Sequence, residues 1–350
     1  MAVDTKKSLR NQVLYSIYVR NYSKEGTFAA VQADLDRIKA LGTDIIWLLP
    51  IHPTGEKNRK GSLGSPYAIR DYRAVNPEFG TLDDFRHLVD AIHARGMKCI
   101  IDVVYNHTSP DSWLAENHPE WFYHKPDGSL GNRFGDWWDV ADLDYSHLEL
   151  WDYQIETLKT WARLVDGFRC DMVFMVPLAF WHWAIPQVKS RFPNIIFIGE
   201  IYDVGLYRPF LDYGCFDYLY DKVNLYDTLV GIEKGHLSAA RLTDCWQTVD
   251  GIGDRMLNFL ENHDEVRFAS KAYAGDPMRV VPSLVVSSMM SKGPFMIYYA
   301  QELGEPATDN EGFAGDNDRT TIFDYWSLAT LRRWYDNGKA DGAELTQHEK

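Results

Sequence analysis

The stretch TLDDFRHLVDAIHARGMKCIIDVV, residues 81–104, decides the fold class. Thr81 and Asp84 stand in capping-box positions, and Gly96 follows the last turn, where a left-handed residue often ends a helix. Residues 81–96 therefore read as a helix with both ends marked. The apolar run KCIIDVV, 98–104, reads as a strand. A helix that feeds at once into a strand is one unit of a parallel α/β fold.

Working outward, the same alternation covers nearly the whole chain. LYSIYV (14–19), DIIWLL (44–49), GFRCD (167–171), NIIFIGE (194–200), RMLNFL (255–260) and PFMIYY (294–299) read as strands, and CFDYLYD (215–221) as a weaker eighth. In LELWDYQIETLKTWARLV, Leu148, Trp151, Ile155, Leu158, Ala162 and Val165 recur at helical spacing and predict one face packed on the sheet. Eight strands with helices between them imply a closed TIM (β/α)8 barrel. The stretch 107–147, rich in Trp, Asp, Pro and Gly, is too long for an ordinary βα loop and reads as a small subdomain inserted after the third strand. The expected organisation is a barrel over 1–106 and 148–340, the insert over 107–147, and a polar tail over 341–350.

With 350 residues, 45% apolar and 25% charged, the chain has the composition of a globular protein. Its formal charge of −14 repels phosphate backbones and sets nucleic acid aside as a partner. No apolar run is long enough to span a bilayer. The polar start MAVDTKKSLRNQ is not a signal peptide, so the expected compartment is the cytoplasm, or the exterior if a leader has been removed. Four scattered cysteines make no disulfide framework; Cys99 and Cys170, inside strand-like runs, are expected to be reduced core residues.

In such a barrel, functional groups sit where strands end, on the C-terminal rim. That rule selects Asp102, Asn106 and His107 after the third strand, Arg169 and Asp171 at the fourth, Glu200 at the fifth, and His263 with Asp264 after RMLNFL. Arg169 lies on the same strand face as Asp171 and is expected to lower its pKa, which suits a nucleophile. Glu200 follows IIFIG, where desolvation should raise its pKa and suit a proton donor. Two carboxyls tuned apart are what glycosidic cleavage requires, and a third, Asp264, would favour positive charge on the sugar. Asp102 reads as a structural anchor. Trp113, Trp121, Trp137 and Trp138 read as the core of the insert, and Tyr67, in the polar loop GSLGSPYAIRDY, as a surface stacking residue. Arg169 with Asp171 would equally be a structural ion pair if seen alone, and acids at successive rim positions would also suit a divalent ion in a lyase or isomerase.

DVVYNH (102–107), GFRCD (167–171), GE (199–200) and NHD (262–264) resemble, in order, the four short motifs of glycoside hydrolase family 13, the α-amylase family. SPYAIRDY resembles its segment after strand two, and GPFMIYYAQELG its eighth strand. The resemblance runs from about Val13 to Trp326. It implies Asp171 as nucleophile, Glu200 as general acid and base, and Asp264 as transition-state stabiliser. Arg169 would position the nucleophile, His107 and His263 would bond hydroxyls of the sugar before the scissile bond, and Tyr67 would stack on that sugar. The implied activity is retaining hydrolysis of α-1,4-glucosidic bonds in starch, glycogen or maltooligosaccharides. The nearest alternatives are a transglycosylase or glucan isomerase of the same family, then an α-1,6-glucosidase; a glucan-binding module without catalysis is disfavoured by the three carboxylates. Three departures stand out. Phe174 and Met175 occupy the place of a Lys-His pair common in α-amylases, VADLDYS lacks a proline before its DL pair, and the family's C-terminal β-sandwich is absent or truncated. No cofactor is required, and Asn106 and Asp142 match positions of a structural calcium.

Overall fold

The computed structural model describes residues 9–307, 312–314, 317–335 and 345–346. The last part of the expected barrel, 336–340, and the polar tail, apart from 345–346, lie outside the described residues. The strands are β1 (Val13–Ile17), β2 (Ile45–Leu48), β3 (Lys98–Val103), β4 (His107–Thr108), β5 (Ala141–Asp142), β6 (Gly167–Cys170), β7 (Ile196–Gly199), β8 (Tyr218–Tyr220), β9 (Met256–Phe259) and β10 (Phe295–Tyr298). Eight of them close a parallel barrel in the order β1-β2-β3-β6-β7-β8-β9-β10. The weak eighth strand of the sequence reading is therefore β8, the sixth of the barrel. The remaining two, β4 and β5, pair antiparallel outside it, within the insert.

Every residue of β2, β6 and β7 is buried, as expected where helices cover one side of the sheet and packed side chains fill the other. The helix over Leu82–Ala94 carries its capping box: the Asp84 amide donates to Thr81 Oγ1 at 3.2 Å and the Thr81 amide to Asp84 Oδ2 at 2.8 Å. Gly96 follows with φ +69°. Phe85, Leu88, Val89 and Ile92 form the buried face.

The helix over Leu148–Trp161 corrects one expectation. Its buried face is Leu150, Gln154, Ile155, Thr157, Leu158 and Trp161, whereas Leu148 is 65% exposed. Leu148 is the first helical residue, and its side chain projects to solvent over the entry to the helix. Ala162 and Val165 are buried but lie past the helix end.

Strand register brings the charged segments together. Asp102 on β3 pairs with Arg169 on β6, and Cys170 with Gly199 on β7. That approach depends on Gly167: a Cβ there would lie 2.6 Å from the Ile196 carbonyl oxygen and 2.9 Å from Ile100 Cγ2. The four cysteines are free and buried. Among the described residues, no helix is long and apolar enough to cross a membrane.

Candidate active site

Alternation along β6 turns Arg169 to the barrel interior, where it is fully buried. Its Nη1 lies 3.0 Å from Asp102 Oδ1 and 2.9 Å from Asp171 Oδ1, and its Nη2 lies 2.7 Å from Glu200 Oε1. Nε donates to the Tyr220 hydroxyl at 3.1 Å. The guanidinium carbon sits 5.2 Å from the Trp47 ring centre and 5.3 Å from that of Tyr220, close enough for cation–π attraction. One cation so placed neutralises part of the charge on three carboxylates, which is what makes burying all four groups tolerable.

That sharing overturns one expectation. Asp171 was expected low because of Arg169; instead burial, and then the charge of Glu200, raise its pKa well above the ordinary carboxylate value. Arg169 pulls the other way, but its charge is divided among three acids, so burial and the neighbouring carboxylate prevail. Asp102 is likewise raised by burial, against the pull of Arg169. For Asp264, whose side chain is 46% exposed, burial is outweighed by the His263 ring at 3.1 Å, by Arg169 and by Arg319, and its pKa is lowered.

Glu200 accepts from three directions. Besides Arg169, the Met172 amide donates to Oε2 at 2.8 Å, and the Tyr202 hydroxyl donates to Oε1 at 2.6 Å. Met172 holds a left-handed conformation, φ 43° and ψ 48°, costly for a side chain of this kind. The strained turn aims its amide at the carboxylate.

Above Arg169 opens a cleft of about 340 Å³, large enough for a sugar unit. Tyr67, His107, Asp171, Glu200, His263 and Asp264 all line it, so the structure brings together the residues singled out at four separate strand ends. Tyr67 is not the surface residue its polar loop suggested. It is 9% exposed, donates to Asp102 Oδ2 at 2.9 Å and stacks on the His263 ring at 5.0 Å. Asp102 is the anchor of this floor. His107 faces Asn106 Nδ2 at 3.1 Å through Nδ1, and burial, with Lys60 nearby, pushes its pKa down to about 4.

Several lining residues escaped the sequence reading. Trp137, assigned to the insert core, lines the cleft 5.5 Å from the His107 ring, and Trp138 is 50% exposed; Trp121 alone of the four tryptophans is buried. Lys60 bonds Asp139 at 3.1 Å, and Lys222 bonds Glu265 at 3.3 Å. Tyr202 was open to detection, since it lies two residues past Glu200 and so falls on the same side of an extended chain; Lys60 and Lys222 carried no signal.

The implied calcium finds a poor set of donors. Asp142 Oδ1 is buried without a partner, but Oδ2 already accepts from the Arg133 amide at 2.9 Å and the Arg133 guanidinium at 3.3 Å. Asn106 turns its amide group to His107. Among the described residues, no cluster of three His, Cys, Asp or Glu side chains could hold a metal. The donors do not fit a cation that asks for six to eight oxygens.

The family model for the α-amylase catalytic domain matches residues 10–335. An α-1,4-glucan:maltose-1-phosphate maltosyltransferase from Rhodospirillum rubrum is 38% identical over 198 residues, which cover 51% of this chain and 29% of that protein. The α-amylase MalA of Haloarcula japonica is 29% identical over 314 residues, 84% of this chain and 44% of that protein. The chain thus spans less than half the length of these curated relatives. Among solved structures, an α-amylase from Lactobacillus plantarum superposes with a TM-score of 0.80 at 43% identity, covering 93% of this chain and 79% of the other.

Proposed function

Since the chain belongs to the α-amylase family, glycoside hydrolase family 13, we propose that it cleaves the glucosidic bonds of an α-glucan with retention and passes the glycosyl unit to a sugar hydroxyl ahead of water. The observation that carries the chemistry is the single guanidinium of Arg169 held between Asp171 and Glu200. It holds the two carboxyls side by side on one face of the site. In the proposed reaction, Asp171 attacks the anomeric carbon while Glu200 gives its proton to the departing oxygen, and a glycosyl ester forms on Asp171. Glu200 then takes a proton from the incoming hydroxyl. Asp264, ionised and half exposed, stabilises the positive charge that develops on the ring. His107, His263 and Tyr67 line the sugar side of the same cleft and would bind its hydroxyls and ring face.

The choice of transfer over hydrolysis reverses the order expected from sequence. The more identical of the two curated relatives is a maltosyltransferase, which supports transfer. Hydrolysis of α-1,4 bonds is the second reading, favoured by the α-amylase from Lactobacillus plantarum, whose likeness extends over most of this chain. Maltoheptaose followed by proton NMR tests both. The proposal expects an α-anomer first, oligosaccharides longer than the substrate, and loss of all turnover in Asp171→Asn. An initial β-anomer would overturn retention, and products no longer than the substrate would leave the hydrolytic reading standing.

A further inference from the structure

We infer that Arg133 is a positioning residue: it supplies Asp142 with the positive charge that the implied calcium would have brought, and so locks the insert against the barrel with His107 and Trp137 beside the sugar. This rests on the reading of the cleft as a glucan site.

Asp142 needs such a charge. Its side chain is wholly inaccessible, and an ionised carboxylate taken out of water is costly unless a cation meets it. Arg133 meets it twice: the main-chain amide donates to Oδ2 at 2.9 Å, and Nη1 donates to the same oxygen at 3.3 Å. Among the described residues, no other basic side chain pairs with Asp142. The arginine side chain itself stays 49% exposed, so the cost of desolvation falls mainly on the acid. Its guanidinium carbon lies 4.6 Å from the Tyr123 ring centre, a second contact that fixes it in place.

The chain around Asp142 ties this ion pair to the cleft. On one edge of β5 the Asp142 amide donates to the Gly131 carbonyl at 2.9 Å, and the Tyr123 amide donates to the Asp142 carbonyl at 2.9 Å. On the other edge Asp142 stands opposite His107 of β4, and the Leu143 amide donates to the Asn106 carbonyl at 2.9 Å. Each of these two strands is only two residues long, too short a ladder to hold by itself. Asn132, next to Arg133, extends the connection. Its Nδ2 donates to the carbonyls of Trp137 at 2.6 Å and Val140 at 3.3 Å, and both of those residues line the cleft. Loss of the Arg133 charge therefore loosens the strand behind His107 and the loop that carries Trp137, while touching no reacting atom.

The test compares wild type, Arg133→Gln, which keeps the main-chain amide but not the charge, and Arg133→Lys, which keeps the charge. Rates on maltoheptaose and melting temperatures are measured with millimolar calcium chloride and with a chelator. Calcium should change neither KM nor melting temperature in wild type. Arg133→Gln should raise KM about 2- to 10-fold, the equivalent of one lost hydrogen bond to the sugar, and Arg133→Lys should recover most of that rise. A smaller folded fraction would lower kcat and leave KM alone, so the KM change separates positioning from stability. An unchanged KM in Arg133→Gln, a lysine variant as impaired as the glutamine one, or stabilisation of wild type by calcium would overturn the inference. Should wild type leave maltoheptaose uncut, the reading of the cleft fails and melting temperature decides the inference. Arg133→Gln below wild type, Arg133→Lys above Arg133→Gln and wild type indifferent to calcium would support it, and any other pattern would sink it.

Discussion

Replacing Arg169 by methionine tests the charge balance on which the site depends. The side chain is fully buried and contacts Asp102, Asp171 and Glu200, which are themselves nearly inaccessible. Removing one partner of a buried ion pair costs about 3–5 kcal/mol, because the charge left behind is uncompensated. Here several acids are left behind, but they can escape by protonation. Asp102 and Asp171 already have raised pKa values in the folded chain, and loss of the cation raises them further. The folded state then holds protons that the unfolded chain releases above about pH 4. Stability therefore falls as pH rises through the window between the unfolded and folded pKa values. An acid left without its cation costs least where it is protonated, so Arg169→Met should be less destabilising at pH 5 than at pH 8, by no more than the roughly 3–5 kcal/mol that an uncompensated buried charge costs. Urea titrations of wild type and variant at both pH values measure this. Adding Asp102→Asn to the variant should recover part of the loss at pH 8. A destabilisation equal at both pH values, or below about 1 kcal/mol, would refute the reasoning.

Gly167→Ala should lower stability by about 1–3 kcal/mol or more, since the new methyl would press on the Ile196 carbonyl and Ile100, and thermal unfolding would report it. His52 is buried with Nδ1 2.8 Å from the Ala74 carbonyl, and burial pushes its pKa down to about 4. The unfolded chain binds that proton near pH 6.5, so stability should drop by about 3 kcal/mol as pH falls through this interval, and His52→Gln should flatten the acid limb of a urea profile. Activity and melting temperature should be unchanged by dialysis against a calcium chelator, because the Asp142 carboxylate is met by Arg133 rather than by a cage of oxygens.

The sequence marked its elements well where the signal is local. The Thr81–Asp84 capping box, Gly96 and the apolar strand runs depend on residues within a few positions of one another, and each appears where it was expected. The site was legible because a parallel barrel puts strand ends on one rim, so Asp171, Glu200, His263 and Asp264 had to converge. Tyr67 was misjudged because the polarity of its loop says nothing of the ring it packs against, here His263. Trp137 was misjudged for a similar reason: aromatic content marks a place that can bury area without saying whether a core or a cleft buries it. Leu148 fits the helical period but lies at the helix start, where there is no barrel surface beneath it.

By itself the sequence determined the barrel, the order of its strands along the chain, and the residues brought to its rim, since helix and strand periods are set by backbone geometry. Only the tertiary structure decided how the charge of Arg169 is divided, that Asp171 is raised rather than lowered, and that Tyr202 bonds Glu200 while Lys222 lies over the Tyr202 ring. Protonation and desolvation are sums over every neighbour. Arg169 alone gathers Asp102 from 67 positions away and Tyr220 from 51. No local pattern carries such a sum, because it exists only once the barrel has closed.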